Sequence, residues 1–305
     1  MTVATPEQFK PISGGVELSV EPDRWGHLTI SRRDESPDVL RTKFAEDGYL
    51  FIKGFFERSM VQAVRQSLLK ALSENGKLAK GEAIDDAIPK PGLKTYMDEE
   101  TGLSNPELRE LVHGEQILNF YEAFFEESVL SFDYIWLRSV SPGVGTNPHC
   151  DTVYMGRGTD QLMTAWVPLG DVPLTVGGLI VLEKSHETGK VDERYLQSDV
   201  DKNCLNMPGT NEVEALGYLS SGALTKDARG LQERLGGRWL TAEFEMGDLV
   251  TFGMRTVHGS LDNQSQSLRL SSDTRYQPAS LPVDDRWFGP EMTMHGQAGK
   301  QEKIC

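Results

Sequence analysis

The strongest constraint on the fold of this chain is a change of hydrophobic rhythm at Ser131. Beyond it, residues 134–140, 162–169, 178–182, 239–246, 249–257 and 268–277 are short apolar runs divided by turn-forming residues. Runs of this length, rich in β-branched and aromatic residues and punctuated by Gly, Pro and Asp, read as strands of a jelly roll or small barrel. The shift marks a change of layer within one domain, because no linker separates the two halves.

Ahead of Ser131 the spacing predicts helices. Ser36-Pro37-Asp38 is a capped start, with Leu40 and Phe44 on one face and Gly48 as the stop. Residues 49–52 read as a strand. A helix from Ser59 carries Val61, Val64, Leu68, Leu69 and Leu72 and ends at Asn75-Gly76. Residues 77–105 look like a mobile connection, and 106–130 return to helical periodicity. The expected fold is α+β: a double-stranded β-helix (jelly roll, cupin-like) with a helix-rich N-terminal layer. As one domain over residues 1–305, it divides into an arm (1–36), the helical layer (37–130), a jelly-roll core (131–278) and a tail (279–305). Within the core, the Gly-, Asp- and Ser-rich insertion 187–238 has one convincing helix, over 225–235, and is long enough to act as a lid.

Charge narrows the partners. The chain carries 31 basic and 46 acidic residues, a net charge of −15. Nucleic acid and anionic membranes are poor partners for such a chain, since polyanion binders carry a basic footprint. An amine-bearing small molecule is compatible, although solubility alone accounts for the acidity. The three cysteines, Cys150, Cys204 and Cys305, have no paired spacing and suit a reducing compartment. With no signal-like N-terminus and no apolar run of membrane length, the expected location is cytoplasmic. Oligomeric state leaves no trace.

The chemistry concentrates at Asn147-Pro148-His149-Cys150-Asp151, just after the Gly/Pro-rich run 141–145. On an extended chain His149 and Asp151 point to one face and Cys150 to the other. One imidazole and one carboxylate need a third donor to hold a divalent metal. His258, at the end of a later strand and followed by Gly259, is the best candidate. Together they would make a 2-His-1-carboxylate triad with open positions, the arrangement of non-haem iron oxygenases. Arg269, eleven residues after His258, lies in the next strand, where a buried guanidinium needs an anion such as the far carboxylate of a diacid. Arg275 shares strand parity with Arg269 and is the alternative anchor; pairing with Asp273 is its plainer role. Taken singly, each of these residues would be an ordinary core or rim group, and it is their order along one β-rich half that carries the reading.

That order resembles the phytanoyl-CoA dioxygenase family of Fe(II)/2-oxoglutarate oxygenases over residues 38–278. Phe44-Ala45-Glu46-Asp47-Gly48-Tyr49 is similar to the family's N-terminal Phe-x-x-Asp-Gly segment. Trp166-Val167-Pro168-Leu169-Gly170-Asp171-Val172, Gly177-Gly178-Leu179 and Lys184-Ser185-His186 are similar to its central strands and closing Gly-Ser-His, with Lys184 replacing the glycine.

The resemblance implies Fe(II) on His149, Asp151 and His258, and 2-oxoglutarate anchored by Arg269. Trp166 would line the cosubstrate pocket and Arg138 would be a second cosubstrate or substrate contact. The implied reaction uses O2 to oxidise, most simply to hydroxylate, an unactivated C–H bond of a small metabolite, releasing succinate and CO2. Asp151 disfavours halogenation, which requires that position to be free for chloride. The rivals are a cupin-like metalloenzyme of non-oxidative chemistry and a non-catalytic small-molecule-binding barrel. Thr152, Tyr154 and Met155 could line the substrate pocket, His186 suits a structural turn, and His27, His113 and His295 have no companions in the sequence.

Overall fold

A computed structural model of the chain describes residues 9–201 and 221–295. It is a mixed α and β architecture built on two main sheets, with a separate two-stranded pair, Ile12–Ser13 and Val16–Glu17, near the N-terminus. The larger has seven strands and runs Ile30–Ser31, Tyr49–Ile52, Leu249–Gly253, Met163–Pro168, Arg269–Pro278 and Val129–Ser131, with Trp136–Val140 also pairing to Arg269–Pro278. The smaller orders His258–Ser260, Leu179–Leu182, Trp239–Thr241 and Trp25–His27. Among the described residues, no helix is long and apolar enough to cross a membrane.

Strand alternation sorts the faces of the larger sheet. Leu137, Ala165, Val167, Leu249, Leu270 and Tyr276 join a core that includes Leu68, Leu69, Leu111 and Ile117 of the helical layer. Residues of the opposite parity, Trp166, Val250 and Phe252, pack against Leu179, Val181 and Leu240 of the smaller sheet. Along Arg269–Pro278 that interior parity falls on Arg269, Ser271, Asp273 and Arg275, so the charged side chains of this strand point between the sheets.

The helical layer forms as its spacing predicts. Ser36 caps Pro37–Asp47 by accepting from the Val39 amide, and Gly48 ends the helix with φ of 78°. Arg58–Glu74 buries Val61, Val64, Leu68, Leu69 and Leu72, each worth roughly 1.5–3 kcal/mol relative to exposure. The expected single helix over 106–130 is two, Pro106–His113 and Glu115–Phe125. They break at Gly114, where a Cβ would stand 2.4 Å from the Glu110 carbonyl oxygen.

Three other expectations change. Residues 9–36 are woven into both sheets: Trp25–His27 runs parallel to Trp239–Thr241 and Ile30–Ser31 parallel to Tyr49–Ile52. The 77–105 connection contains a helix, Glu99–Ser104, capped by Asp98, whose side chain accepts from the Thr101 amide. The strand expected over 249–257 stops at Gly253, and a turn through 254–257 delivers His258 to the other sheet. The helix expected over 225–235 spans Ala228–Leu235, with an Asp227 cap and Gly236 at its end, and the insertion also holds a short helix, Glu193–Leu196. Part of that insertion, including Cys204, and Cys305 in the tail lie outside the described residues.

Candidate metal centre

His149 and Asp151 converge, though not on one strand. His149 forms an isolated antiparallel bridge to His258, whereas Asp151 has helical backbone (φ −67°, ψ −22°) and opens the short helix Thr152–Met155. The Met254 carbonyl accepts from both the amide and the hydroxyl of Thr152, which pulls the chain into that turn. Gly259 is likewise in a strand rather than at a sharp turn. Its role is close approach, since a Cβ there would lie 2.7 Å from the Thr146 carbonyl oxygen. Cys150 points away, as expected, and is buried among Leu18, Val153 and Tyr195.

One donor atom from each of His149, Asp151 and His258 lies within 4.8 Å of the others. Asp151 Oδ1 stands 3.7 Å from the Nε2 of both histidines. Each Nδ1 is tied to a backbone carbonyl two residues back: His149 to Asn147 at 2.8 Å and His258 to Thr256 at 3.0 Å. A carbonyl only accepts, so Nδ1 carries the proton in both rings and the Nε2 lone pairs face Oδ1. Burial pushes the His149 imidazole down to about 3, helped by His258 alongside, and burial lowers His258 too. Burial alone would raise the Asp151 carboxyl, but Arg275 and the two imidazoles hold it well below the usual carboxylate range. The cluster is therefore one anion and two neutral nitrogens, the donor set a divalent metal requires.

Asp151 Oδ2 is held separately. It accepts from the Thr164 hydroxyl and, at 3.1 Å, from Arg275 Nη2. These contacts cross the sheet, because Thr164 and Arg275 are directly opposed partners on neighbouring strands. Arg275 lies over the Trp136 ring, 3.9 Å from its centroid, and pairs with Asp151 rather than with Asp273.

Asp273 is taken by Arg138, which binds it at 2.8 Å. Among the described residues Arg269 has no carboxylate partner: it donates to the Gly177 carbonyl, its Nε is buried without a partner, and burial lowers its pKa to about 10. Arg269, Arg138, Trp166 and Asp273 border a small cavity against His149 and His258. A buried guanidinium with an unanswered donor is a fitted seat for a carboxylate. The residues present thus suit both Fe(II) and 2-oxoglutarate.

A second cavity of about 390 Å³ opens on the Asp151 side, bordered by Tyr96, Met97, Trp136, Tyr154, Met155 and Arg275, with Arg138 shared between the two. Tyr154 and Met155 line it as expected, while Thr152 is spent on Met254. His186 packs against Gly48 with its Nε2 at 3.2 Å from the Ala45 carbonyl, a structural role. His295 does have companions: it borders the larger cavity and binds Asp201 at 2.9 Å. Sequence patterns did not single out Tyr96 or Thr164, and named Asp273 only as a partner for Arg275. Tyr96 sits in the irregular 77–105 segment, and Thr164 had no signal beyond its strand parity.

A protein-family model described as phytanoyl-CoA dioxygenase matches residues 44–271. The 1-deoxypentalenic acid 11-beta-hydroxylase of Streptomyces arenae is 27% identical over 255 residues, covering 80% of this chain and 82% of that protein. The epimerase SnoN of nogalamycin biosynthesis, solved with Fe3+, alpha ketoglutarate and nogalamycin RO, shares the fold at a TM-score of 0.54 and 21% identity, over 81% of this chain and 85% of its own. EctD from S. alaskensis, solved with 2-oxoglutarate and 5-hydroxyectoine, does so at 0.56 and 15%, over 95% and 90%. With three-quarters of its length under the family model and a His-Asp-His cluster at its centre, this chain belongs to the phytanoyl-CoA dioxygenase family and is an Fe(II)- and 2-oxoglutarate-dependent oxygenase of small metabolites.

Proposed function

We propose that His149, Asp151 and His258 are the iron ligands, that Arg269 anchors the far carboxylate of 2-oxoglutarate beside Trp166, and that Arg138 bridges the cosubstrate and substrate sides. The observation that carries this is the position of Asp151 Oδ1, equally distant from two Nε2 atoms whose rings are fixed by their Nδ1 bonds. Iron with 2-oxoglutarate and O2 supplies an oxidant strong enough for an unactivated C–H bond, with succinate and CO2 as co-products. The chain contributes the rest. The two histidines and Asp151 leave open one side of the centre. Thr164 and Arg275 keep Asp151 from rotating. Trp136, Tyr154 and Met155 form a wall that orients an apolar substrate and excludes water.

The outcome we assign is hydroxylation of a small metabolite. The two sheets act as the halves of a jelly roll in a single oxygenase domain, the described end of the 187–238 insertion at Ser221 and Ala223 borders the larger cavity as part of a lid, and the buried Cys150 thiol suits a reducing, cytoplasm-like compartment. The amine that the net charge of the chain made attractive meets no free acid in the described lining of the larger cavity, where Asp151 is committed to metal. A non-oxidative metalloenzyme on the same scaffold would leave the unpartnered donor of Arg269 without a task. Anaerobic addition of Fe(II) and 2-oxoglutarate tests the assignment. A weak visible charge-transfer band is expected, and it should vanish in His149→Ala. A band that survives that change removes His149 from the ligand set.

A further inference from the structure

Building on the iron and 2-oxoglutarate reading, we propose that the substrate is a largely apolar molecule carrying one negative charge, and that Arg275 is the residue that recognises it. Among the described residues, the charged side chains bordering the two cavities are Arg138, Arg269, Arg275, Asp151, Asp273 and His295. His295 binds Asp201, within a neighbouring cluster that also holds Arg157, Arg286, Asp199 and Asp284. That leaves three guanidinium groups facing two carboxylates. Fe(II) and the 2-oxoglutarate dianion add no net charge, so the loaded site retains one positive charge. An uncompensated charge in a buried pocket is costly, and a ligand that neutralises it is favoured over an uncharged one of the same shape.

The leftover charge resides on Arg275. Arg138 spends Nε and Nη2 on Asp273, and Arg269 faces the cosubstrate. Among the described residues the one carboxylate that Arg275 meets is Asp151, which must also neutralise the metal. Its Nε and Nη1 are buried without a partner, while its flat face lies on Trp136, which offers no acceptor. Arg275 is 2% exposed and borders the larger cavity, where Tyr96, Met97, Trp136, Tyr154 and Met155 form an apolar wall alongside polar groups such as Asn147 and Thr146.

Matched ligands of one skeleton test the idea: 2-naphthoate, 2-naphthamide and 2-(aminomethyl)naphthalene. Each is titrated calorimetrically under argon into the full-length protein loaded with Fe(II) and saturating 2-oxoglutarate, while the charge-transfer band is followed. The naphthoate is expected to bind about tenfold or more tightly than either analogue, with the band retained. Arg275→Gln should bring that ratio to within about twofold, whereas Arg275→Lys, which keeps the charge, should preserve most of it. Equal affinities in the wild-type protein overturn the proposal without any variant. So do a preference for the amine, no naphthoate binding at millimolar concentration, loss of the band on adding naphthoate, or an intact preference in Arg275→Gln. If no band forms before any naphthalene is added, the iron and 2-oxoglutarate reading itself fails, and the charge count falls with it.

Discussion

The backbones of His149 and His258 are locked to each other: each amide donates to the other's carbonyl, at 2.9 and 3.0 Å. Two residues more than a hundred positions apart are thereby opposed before any metal arrives, and their rings stand 4.2 Å apart between centroids. The proposed iron site is held by the backbone as much as by its side chains.

Gly259 makes that close approach feasible. A Cβ at this position would meet the Thr146 carbonyl oxygen at 2.7 Å and the Pro148 nitrogen at 3.3 Å, both backbone atoms that cannot swing aside. Gly259→Ala should lower stability by about 1–3 kcal/mol and weaken Fe(II) binding together with it. Chemical denaturation and an anaerobic Fe(II) titration check the two effects, and an unchanged protein would show that the strands separate freely.

Thr164 restrains Asp151 through Oδ2, while Oδ1 faces the two imidazoles where the metal is proposed to bind. Thr164→Val keeps the shape and removes the hydroxyl. Fe(II) affinity should fall about 10- to 100-fold, as for other groups that orient a metal ligand, with 2-oxoglutarate binding to the residual iron complex little altered. Equal Fe(II) affinity in the variant would mean that Arg275 alone suffices.

Arg269 makes an opposite pair of effects testable. With no carboxylate beside it, its buried charge burdens the protein until 2-oxoglutarate is present. Arg269→Met should therefore raise the melting temperature of the ligand-free protein. The same change should abolish the rise that 2-oxoglutarate produces in the wild type. A variant still stabilised by 2-oxoglutarate would move the anchor elsewhere.

His113 supplies a pH dependence remote from the metal. Its Nε2–H donates to the Phe132 carbonyl at 3.0 Å, and its Nδ1 accepts from Arg109 at 3.3 Å. Burial, then the Arg109 charge, lowers its pKa below the ordinary 6.5. The unfolded chain therefore binds the proton more readily than the folded one. The contribution of this residue is complete above 6.5, declines as the pH falls through that value, and levels off below the folded pKa. Denaturant midpoints at pH 7.5 and 5.5 should differ less in His113→Gln than in the wild type, and equal differences would assign the acid sensitivity to other groups.

Much of the site was legible in local pattern. Period-two alternation from Leu268 onward was enough to place Arg269, Asp273 and Arg275 on one face, and the spacing of His149, Asp151 and His258 named the donor types. Capping residues and glycines likewise marked the ends of the helices at Gly48 and Asn75, because such signals act within a turn of chain.

Partnership between distant side chains was decided by tertiary structure. That Arg138 takes Asp273, that Arg275 takes Asp151, and that Arg269 keeps a buried donor without a partner follows from strand register, with Trp136 opposite Asp273 and Thr164 opposite Arg275. A one-residue slip would turn every one of these groups to the helix side, and nothing within a single strand encodes which register its neighbour adopts. The turn at Asp151 and the arrival of Tyr96 from an irregular segment are of the same kind: they depend on contacts closed across the fold, whereas the alternation of a strand is set by its own backbone.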